Sequence, residues 1–388
     1  MTNQSQVSVP CPGERPHLLH VFPSFEIGGV QLRAVRIMNH LGRRYRNTVI
    51  SLDGVTAAAE QIAVSTPAEV RAVAVDKRRP FKSFLDFRRV LADLRPDLLG
   101  TYNWGAIEWA AANRLWPICP HIHFESGFGR DEARRQYRRR VIARRLLLSN
   151  AQAVVVPSRT LEHIALNVWR LAPQQLRYIP DGIHAARFYR SERLRSASEP
   201  RRKDIITIGT VAALRAEKNV GRLIEVFAQI ADDRRLRLVI VGDGPERMRL
   251  ENLAAARRLD DRITFLGHLP RPEEILPSFD IFGLSSDTEQ IPNAVLEAMA
   301  AELPIAAVDV GDIRAMVAPS NLPYIVPAGR FDFFALALRQ LAEDAALRDS
   351  IGAENRDRVQ RHFDQERMFR DYDALLLEVL KVRPGRRS

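Results

Sequence analysis

Two glutamates eight positions apart, Glu289 and Glu297, are the first candidates for chemistry in this sequence. Carboxylate oxygens accept hydrogen bonds from hydroxyl groups, so the pair suits a ligand that carries sugar or ribose hydroxyls. Between them stands Pro292-Asn293, followed by good helix formers at 294–301. Because proline is tolerated in the first turn of a helix, the pattern places Glu289 in a loop and Glu297 inside the helix that follows.

The start of this predicted helix is also a candidate phosphate site. The amides of Asn293, Ala294 and Val295 lack partners within the helix, and free N–H groups together with the helix dipole favour an anion. A phosphate beside two carboxylates that bind hydroxyls indicates a nucleotide sugar. Two glutamates at this spacing also occur by chance in helical proteins, and the spacing alone leaves that alternative open.

A second group of polar side chains follows a predicted strand in the first half of the chain. Because side chains alternate along a strand, His121, His123 and Glu125 share one face, and Ser126 follows them. A histidine and a carboxylate at a strand end can form an acid/base pair or bind an acceptor. They can equally form a polar cluster that satisfies itself.

Glycines and basic side chains follow other predicted strands, at 17–22, 205–211 and 236–241. Paired glycines let a ligand approach the backbone closely, although they also serve in simple tight turns. Positive charge in such a loop can neutralise a diphosphate. The residues concerned are Gly28, Gly29, Arg215, Lys218, Gly242 and Gly244.

Strands and helices alternate through both halves of the chain, which predicts an α/β protein with parallel, doubly wound sheets. Ligands then bind at the carboxyl ends of the strands. The predicted organisation is a flexible leader at 1–16, a first domain at 17–190, an Arg- and Ser-rich linker at 191–204, a second domain at 205–365, and an amphipathic helix with a basic tail at 366–388.

The segment 278–312 resembles the E-x7-E region of the GT4-type retaining glycosyltransferases, which belong to the GT-B superfamily and transfer sugars from nucleotide donors. The resemblance extends over almost all of residues 17–380. It implies a GT-B fold, in which two Rossmann-like domains face a central cleft with the donor on the second domain and the acceptor on the first. It also implies that Glu289 positions the donor sugar, Glu297 meets the ribose, and Lys218 stabilises the departing diphosphate.

The same resemblance assigns roles to the remaining candidates. The implied catalytic residues are Glu289, Lys218 and His123. The implied donor-binding residues are Arg215, Gly28, Gly29, Gly242, Gly244, Gln290, Asn293, Ala294, Val295 and Glu297. On the acceptor side stand His121, Glu125 and Ser126, with Ser126 as the alternative to His123 near the donor sugar.

The chain departs from the family pattern at several positions. Gln290 and Glu302 stand where the family usually has glycine, Gln31 where it has glutamate, and Ala213 where it has arginine. Arg215 is the nearest substitute for the missing arginine, and the sequence leaves open whether it reaches the phosphate.

Composition limits the class of protein. With 388 residues, 46% of them hydrophobic and 27% charged, the chain fits a soluble protein of two domains. The sequence shows no apolar run of membrane-spanning length and no signal peptide, so we expect a cytoplasmic location. The two cysteines match neither a zinc pattern nor a disulfide framework, and we expect no metal and no other cofactor.

The net charge of +11 admits nucleic acid, an anionic membrane or a phosphorylated substrate as partner. Arginine is concentrated from Arg130 to Arg145, which indicates either a solvated helix face or a surface for the inner face of the membrane. No aromatic-interleaved basic face is present, so nucleic acid is not expected.

The expected function is metal-independent transfer of a hexosyl group, with retention, from a nucleoside-diphosphate sugar to a glycan or lipid-linked acceptor in cell-surface polysaccharide synthesis. Two alternatives remain open from the sequence. One is a GT-B sugar-nucleotide epimerase or hydrolase. The other is a donor-binding scaffold with impaired catalysis, which Ala213 and Gln290 favour.

Overall fold

The computed structural model describes residues 15–73, 80–115, 117–128, 132, 136–188 and 205–381. Most of the predicted leader, the predicted linker at 191–204 and the basic tail after residue 381 lie outside these ranges.

Seven parallel strands form the first sheet, in the order β3-β2-β1-β4-β5-β6-β7. Most of these strands are buried apolar runs, because helices cover both faces of a doubly wound sheet. The strands are β1 (His17–Phe22), β2 (Arg46–Ser51), β3 (Ala68–Ala72), β4 (Leu98–Tyr102), β5 (His121–Phe124), β6 (Ala153–Val156) and β7 (Leu176–Tyr178). The helices are α1 (Gly29–Leu41), α2 (Pro80–Leu94), α3 (Ile107–Leu115), α4 (Arg138–Leu148) and α5 (Arg159–Asn167).

Six parallel strands form the second sheet, in the order β10-β9-β8-β11-β12-β13. They are β8 (Ile206–Val211), β9 (Leu236–Val241), β10 (Ile263–Gly267), β11 (Ile281–Leu284), β12 (Ile305–Val308) and β13 (Ile325–Val326). The helices are α6 (Val220–Ala228), α7 (Arg247–Ala256), α8 (Asn293–Ala300), α9 (Ile313–Met316), α10 (Phe331–Glu343) and α11 (Ala345–His362). Both sheets reverse their strand order once, between β1 and β4 and between β8 and β11, which confirms the predicted doubly wound α/β architecture.

The last helix, α12 (Gln365–Lys381), returns to the first domain. Its apolar face packs in the same core as β1 and α1. The Tyr372 ring stacks 6.1 Å from the ring of Phe124 on β5. The chain crosses between domains beside Ile183, whose amide and carbonyl bond with Phe363 and Gln365 at 2.9 and 3.1 Å. The helix therefore completes the first domain from the far end of the chain.

The structure corrects one prediction about this region. The sequence indicates two helices on either side of Gly352, whereas α11 runs through it without interruption. A Cβ at Gly352 would lie 2.1 Å from the carbonyl oxygen of Glu302. The glycine therefore permits α11 to approach the end of α8 closely and does not end a helix.

Glu302 itself provides a stability test. Its φ of 61° lies in the left-handed region, which costs an ordinary residue about 1–2 kcal/mol. Its carboxylate pairs with Arg356 at 3.1 Å, an ion pair that contributes up to about 1 kcal/mol. We expect Glu302→Gly to raise the free energy of unfolding by about 1 kcal/mol in a urea titration.

Glu302→Ala is the matched control, because it loses the ion pair and keeps the strained backbone. We expect it to be no more stable than the unchanged protein. Equal stability of the glycine and alanine variants would contradict the assignment of strain to this position.

Candidate functional site

A cavity of about 1190 Å³ opens between the carboxyl ends of the two sheets. In the first domain its walls come from α1, α4 and the loops after β4, β5, β6 and β7, and in the second domain from the loops after β8, β9, β10 and β11. These include the two points at which strand order reverses. Loops diverge at such points and leave a crevice, so this is the expected ligand site of a doubly wound fold.

Glu289 and Lys218 form an ion pair in this cavity. Lys218 follows β8 and Glu289 follows β11, and the two strands are parallel neighbours, so their loops emerge side by side. The Lys218 Nζ lies 2.5 Å from Glu289 Oε1, and the Ser286 hydroxyl donates to the same oxygen at 2.8 Å. The structure thus brings together two of the three side chains that were predicted to be catalytic.

The path of the Glu289 loop depends on a close backbone contact. Gly311, which follows β12, has a φ of 59°. A Cβ there would lie 2.5 Å from the carbonyl oxygen of Glu289 and 2.7 Å from that of Gln290. A larger residue at 311 would both strain the backbone and displace the loop that carries Glu289.

The first turn of α8 presents amide donors to the cavity, because the first N–H groups of a helix have no partner within it. Asn293 and Ala294 line the cavity wall. Val295 is buried and its amide donates to the Pro292 carbonyl at 3.0 Å, which corrects the prediction that this amide is available to a ligand. Within the described ranges Asn293 Oδ1 is buried and has no hydrogen-bond partner. An anion at the helix N-terminus and a hydroxyl at Asn293 would satisfy these groups.

The glycine turn after β9 contributes to the same wall. Gly242 lines the cavity, and a Cβ there would lie 1.8 Å from the Ala212 carbonyl oxygen, so the loops after β8 and β9 are in close contact. Gly244 does not line the cavity. Arg215 is exposed and also does not line it, so the structure does not bring this predicted substitute arginine to the donors of α8.

Glu297 lies one turn further along α8, outside the cavity lining. Burial raises the pKa of its carboxyl to about 7, and the nearby charge of Glu273 adds to this effect. The positive charges of Arg36 and Arg187 oppose the shift. The group therefore changes charge near neutral pH.

The first-domain wall contains a buried arginine that sequence analysis missed. Arg33 on α1 is 4% exposed, lines the cavity and donates to Asp181 and to the Ser126 hydroxyl. Burial alone lowers the pKa of Arg33, but the charge of Asp181 outweighs it and keeps the guanidinium protonated. The signal in the sequence was a basic residue on the apolar face of a helix. Gly29 also lines this wall, whereas Gly28 precedes α1 and does not.

The structure corrects the placement of the histidines on β5. His121 and His123 both bond to the Thr101 hydroxyl at 2.8 Å, and the His123 side chain is fully buried. Burial and the neighbouring His123 lower the pKa of His121 to about 3. Glu125 is also buried and accepts a hydrogen bond from Arg144 at 3.3 Å. The side chains of His121, His123 and Glu125 do not line the cavity, whereas Ser126 does.

Helix α4 places its arginines from the basic segment on two different faces. Arg140 and Arg144 face the cavity, where both pair with Glu132, at 3.0 and 3.2 Å. Their guanidinium groups also lie 5.2 and 5.0 Å from the centre of the Trp104 ring. Arg138 and Arg139 are exposed. The inward arginines therefore belong to the first-domain wall of the site.

The raised pKa of Glu297 predicts a pH-dependent stability. A carboxyl whose folded pKa lies above its unfolded value of 4.5 lowers stability progressively as the pH rises from about 4.5, and the loss is complete once the pH has passed about 7. We expect Glu297→Gln to melt at a higher temperature than the unchanged protein at pH 8 and at the same temperature at pH 4. Thermal denaturation across this range measures the difference, with exposed Glu343→Gln as control. A difference that does not vary with pH would contradict the prediction.

Comparisons with known proteins agree with this geometry. The family model described as Glycosyltransferase Family 4 matches residues 27–187, and that described as Glycosyl transferases group 1 matches residues 191–358. The chain is 29% identical over 171 residues to N-acetyl-alpha-D-glucosaminyl L-malate synthase of Bacillus anthracis. That match covers 44% of this chain and 45% of that protein, so it spans less than half of the relative's length.

Two further similarities extend over more of the chain. The 2-deoxystreptamine N-acetyl-D-glucosaminyltransferase of Streptomyces fradiae is 26% identical over 304 residues, 71% of each chain. The crystal structure of Anabaena HepE in complex with UDP has a TM-score of 0.78 at 17% identity and covers 94% of this chain and 100% of that one. With its GT-B fold and its matches in both domains, the chain belongs to the group 1 and family 4 glycosyltransferases.

Proposed function

We propose that this protein transfers a hexosyl group from a nucleoside-diphosphate sugar to a hydroxyl of a glycan or lipid-linked acceptor, with retention at the anomeric carbon and without a metal ion. The observation that carries the proposal is the meeting of Lys218, Glu289 and the free amides of α8 in one cavity between two domains. Membership of the glycosyltransferase family supports it. Synthesis of a cell-surface polysaccharide is the proposed setting.

The diphosphate would lie at the N-terminus of α8. The amides of Asn293 and Ala294 and the Lys218 ammonium group supply positive charge there. In the transfer, the bond between the anomeric carbon and the diphosphate oxygen breaks and its electron pair remains on the diphosphate. The acceptor oxygen forms the new bond on the same face, and its proton passes to the departing diphosphate oxygen. Charge that develops on the leaving oxygen is stabilised by donors already in place.

Glu289 would position the donor sugar. Its Oε1 accepts hydrogen bonds from Lys218 and Ser286. Sugar hydroxyls can bond to the carboxylate once the diphosphate takes over the charge of Lys218. Asn293 Oδ1, buried and without a partner in the described part of the chain, is a further acceptor beside it.

The acceptor would bind to the first-domain wall. Ser126, Asn103 and Trp104 line it together with the paired Arg140 and Glu132. Polar groups next to an aromatic ring suit a sugar, which presents both hydroxyls and apolar ring faces. Asn103 holds this wall in shape, because its Oδ1 accepts from the Ser126 amide at 2.8 Å.

Calorimetric titration with nucleotides tests the donor site. Since the Anabaena HepE structure contains UDP, UDP and its sugar conjugates are the first ligands to titrate, followed by the GDP series. We expect Lys218→Ala to remove a charge-assisted contact of about 1.5–3 kcal/mol, which raises Kd roughly 10- to 150-fold. Addition of a metal chelator should leave the affinity unchanged.

Arg215→Ala is the matched control, because it removes a positive charge from the same loop at an exposed position outside the cavity. We expect it to leave Kd unchanged. An equal loss in both variants would show that Arg215 reaches the phosphate. Absence of binding by the unchanged protein to either nucleotide series would contradict donor binding and with it the proposed function.

An anionic membrane surface is the proposed partner of the outer face of α4. Arg138, Arg139, Ile142 and Leu146 are exposed on this helix, and Leu115 is exposed on neighbouring α3. Basic and apolar side chains on one face are typical of helices that lie on anionic lipid. Within the described ranges, no helix combines the length and apolar character needed to cross a bilayer.

Vesicle sedimentation tests this face. We expect Arg138→Glu with Arg139→Glu to reduce binding to vesicles that contain phosphatidylserine, and added salt to reduce binding of the unchanged protein. Arg234→Glu with Arg370→Glu is the control, because it makes the same change in charge at exposed positions elsewhere. Equal binding of both double variants would remove the membrane proposal.

A further inference from the structure

Two loops from different domains meet beside Glu289. Ser158, which precedes α5 in the first domain, donates its hydroxyl to Gln290 Oε1 of the second domain at 3.0 Å. Gly127 of the first domain packs against the same side chain, since a Cβ there would lie 2.9 Å from Gln290 Cγ. Gln290, which stands where the family usually has glycine, therefore makes a contact between the domains.

Asp312 makes a second connection between the domains. Its side chain lies at the second-domain edge of the interface and is 5% exposed. The carboxylate accepts hydrogen bonds from the amides of Arg159 and Thr160 and from the Thr160 hydroxyl, the last two at 3.0 and 2.7 Å. These donors form the first turn of α5, where the helix dipole favours a negative charge.

The two connections form one closed ring of hydrogen bonds. The Asp312 amide donates to the Gln290 carbonyl at 3.0 Å. This hydrogen bond joins the two residues within the second domain. On the other side, Ser158 and the first turn of α5 are continuous in sequence. Because Gln290 directly follows Glu289, this ring fixes the position of the Glu289 loop relative to the first domain.

We propose that Gln290 and Asp312 are positioning residues, which hold the two domains in the arrangement that sets the Glu289 loop opposite the first-domain wall. If the domains separated, the buried Asp312 carboxylate would lose all three of its hydrogen-bond donors from the first domain. The ring therefore favours the closed arrangement. The catalytic consequence rests on the proposed function. In the proposed function the diphosphate contacts of Lys218 and α8 lie in the second domain, whereas transfer requires both walls.

Hydrogen exchange and solution scattering test the ring without any substrate. In Asp312→Ala we expect the amides of Arg159 and Thr160 to exchange roughly five- to tenfold faster, as for loss of a helix cap. We expect Asp312→Ala and Gln290→Gly to increase the radius of gyration. Asp309→Ala is the matched control, because Asp309 also follows β12 but pairs with Arg314 within its own domain. Unchanged exchange and scattering in both variants would overturn the proposal.

Kinetics separates positioning from a merely structural role. With the nucleotide found by calorimetry, the Kd of Asp312→Ala should stay within about twofold of that of the unchanged protein, while turnover of the nucleotide sugar should fall roughly 10- to 100-fold in both Asp312→Ala and Gln290→Gly. Asp312→Asn keeps one acceptor oxygen and should recover part of the turnover. Unchanged turnover despite faster exchange would overturn the positioning role. If the unchanged protein binds no nucleotide, the proposed function fails, and exchange and scattering still decide whether the ring holds the domains.

Discussion

The ion pair between Lys218 and Glu289 is the interaction on which the site depends. Its partners are 71 positions apart in sequence and 2.5 Å apart in space, because the strands that precede them are adjacent and parallel. Parallel neighbours end at the same edge of a sheet, so the fold places a cation and a carboxylate together where its loops open. The first turn of α8 follows the same loop and adds free amides at that point.

Among the described residues, the one lysine and the three arginines that line the cavity all have carboxylate partners. Lys218 pairs with Glu289, Arg33 with Asp181, and Arg140 and Arg144 share Glu132. Burial makes an unpaired charge expensive, so internal partners keep the cavity stable before a ligand binds. A diphosphate must then compete with Glu289 for Lys218. The sugar hydroxyls that replace the ammonium group on Glu289 would offset that loss, which couples recognition of the phosphate to recognition of the sugar.

The sequence predicted the features that depend on local order. The apolar strands before each loop and the helix that begins after Pro292 follow from periodicity and turn residues, and the family pattern implied that Lys218 and Glu289 belong to one donor site. The structure confirms the α/β fold with two doubly wound sheets. The family comparisons confirm the resemblance.

What the sequence did not predict depends on contacts between distant residues. Alternation placed His121 and His123 on one face correctly, but it carried no information about which face the cavity occupies. The partners of Arg33 and Asp312 could not be predicted, because they lie more than 90 positions away in the sequence. Gly352 indicated a helix end, whereas it serves a close approach to Glu302. Partners of this kind are set by tertiary packing.

A crystal structure with the nucleoside diphosphate that binds is the most direct test of the central claim. The account predicts that the terminal phosphate lies about 2.7–3.2 Å from the Ala294 amide and from Lys218 Nζ, with the ammonium group released from Glu289. A bound nucleotide whose phosphates lie away from α8, with Lys218 still paired to Glu289, would contradict it.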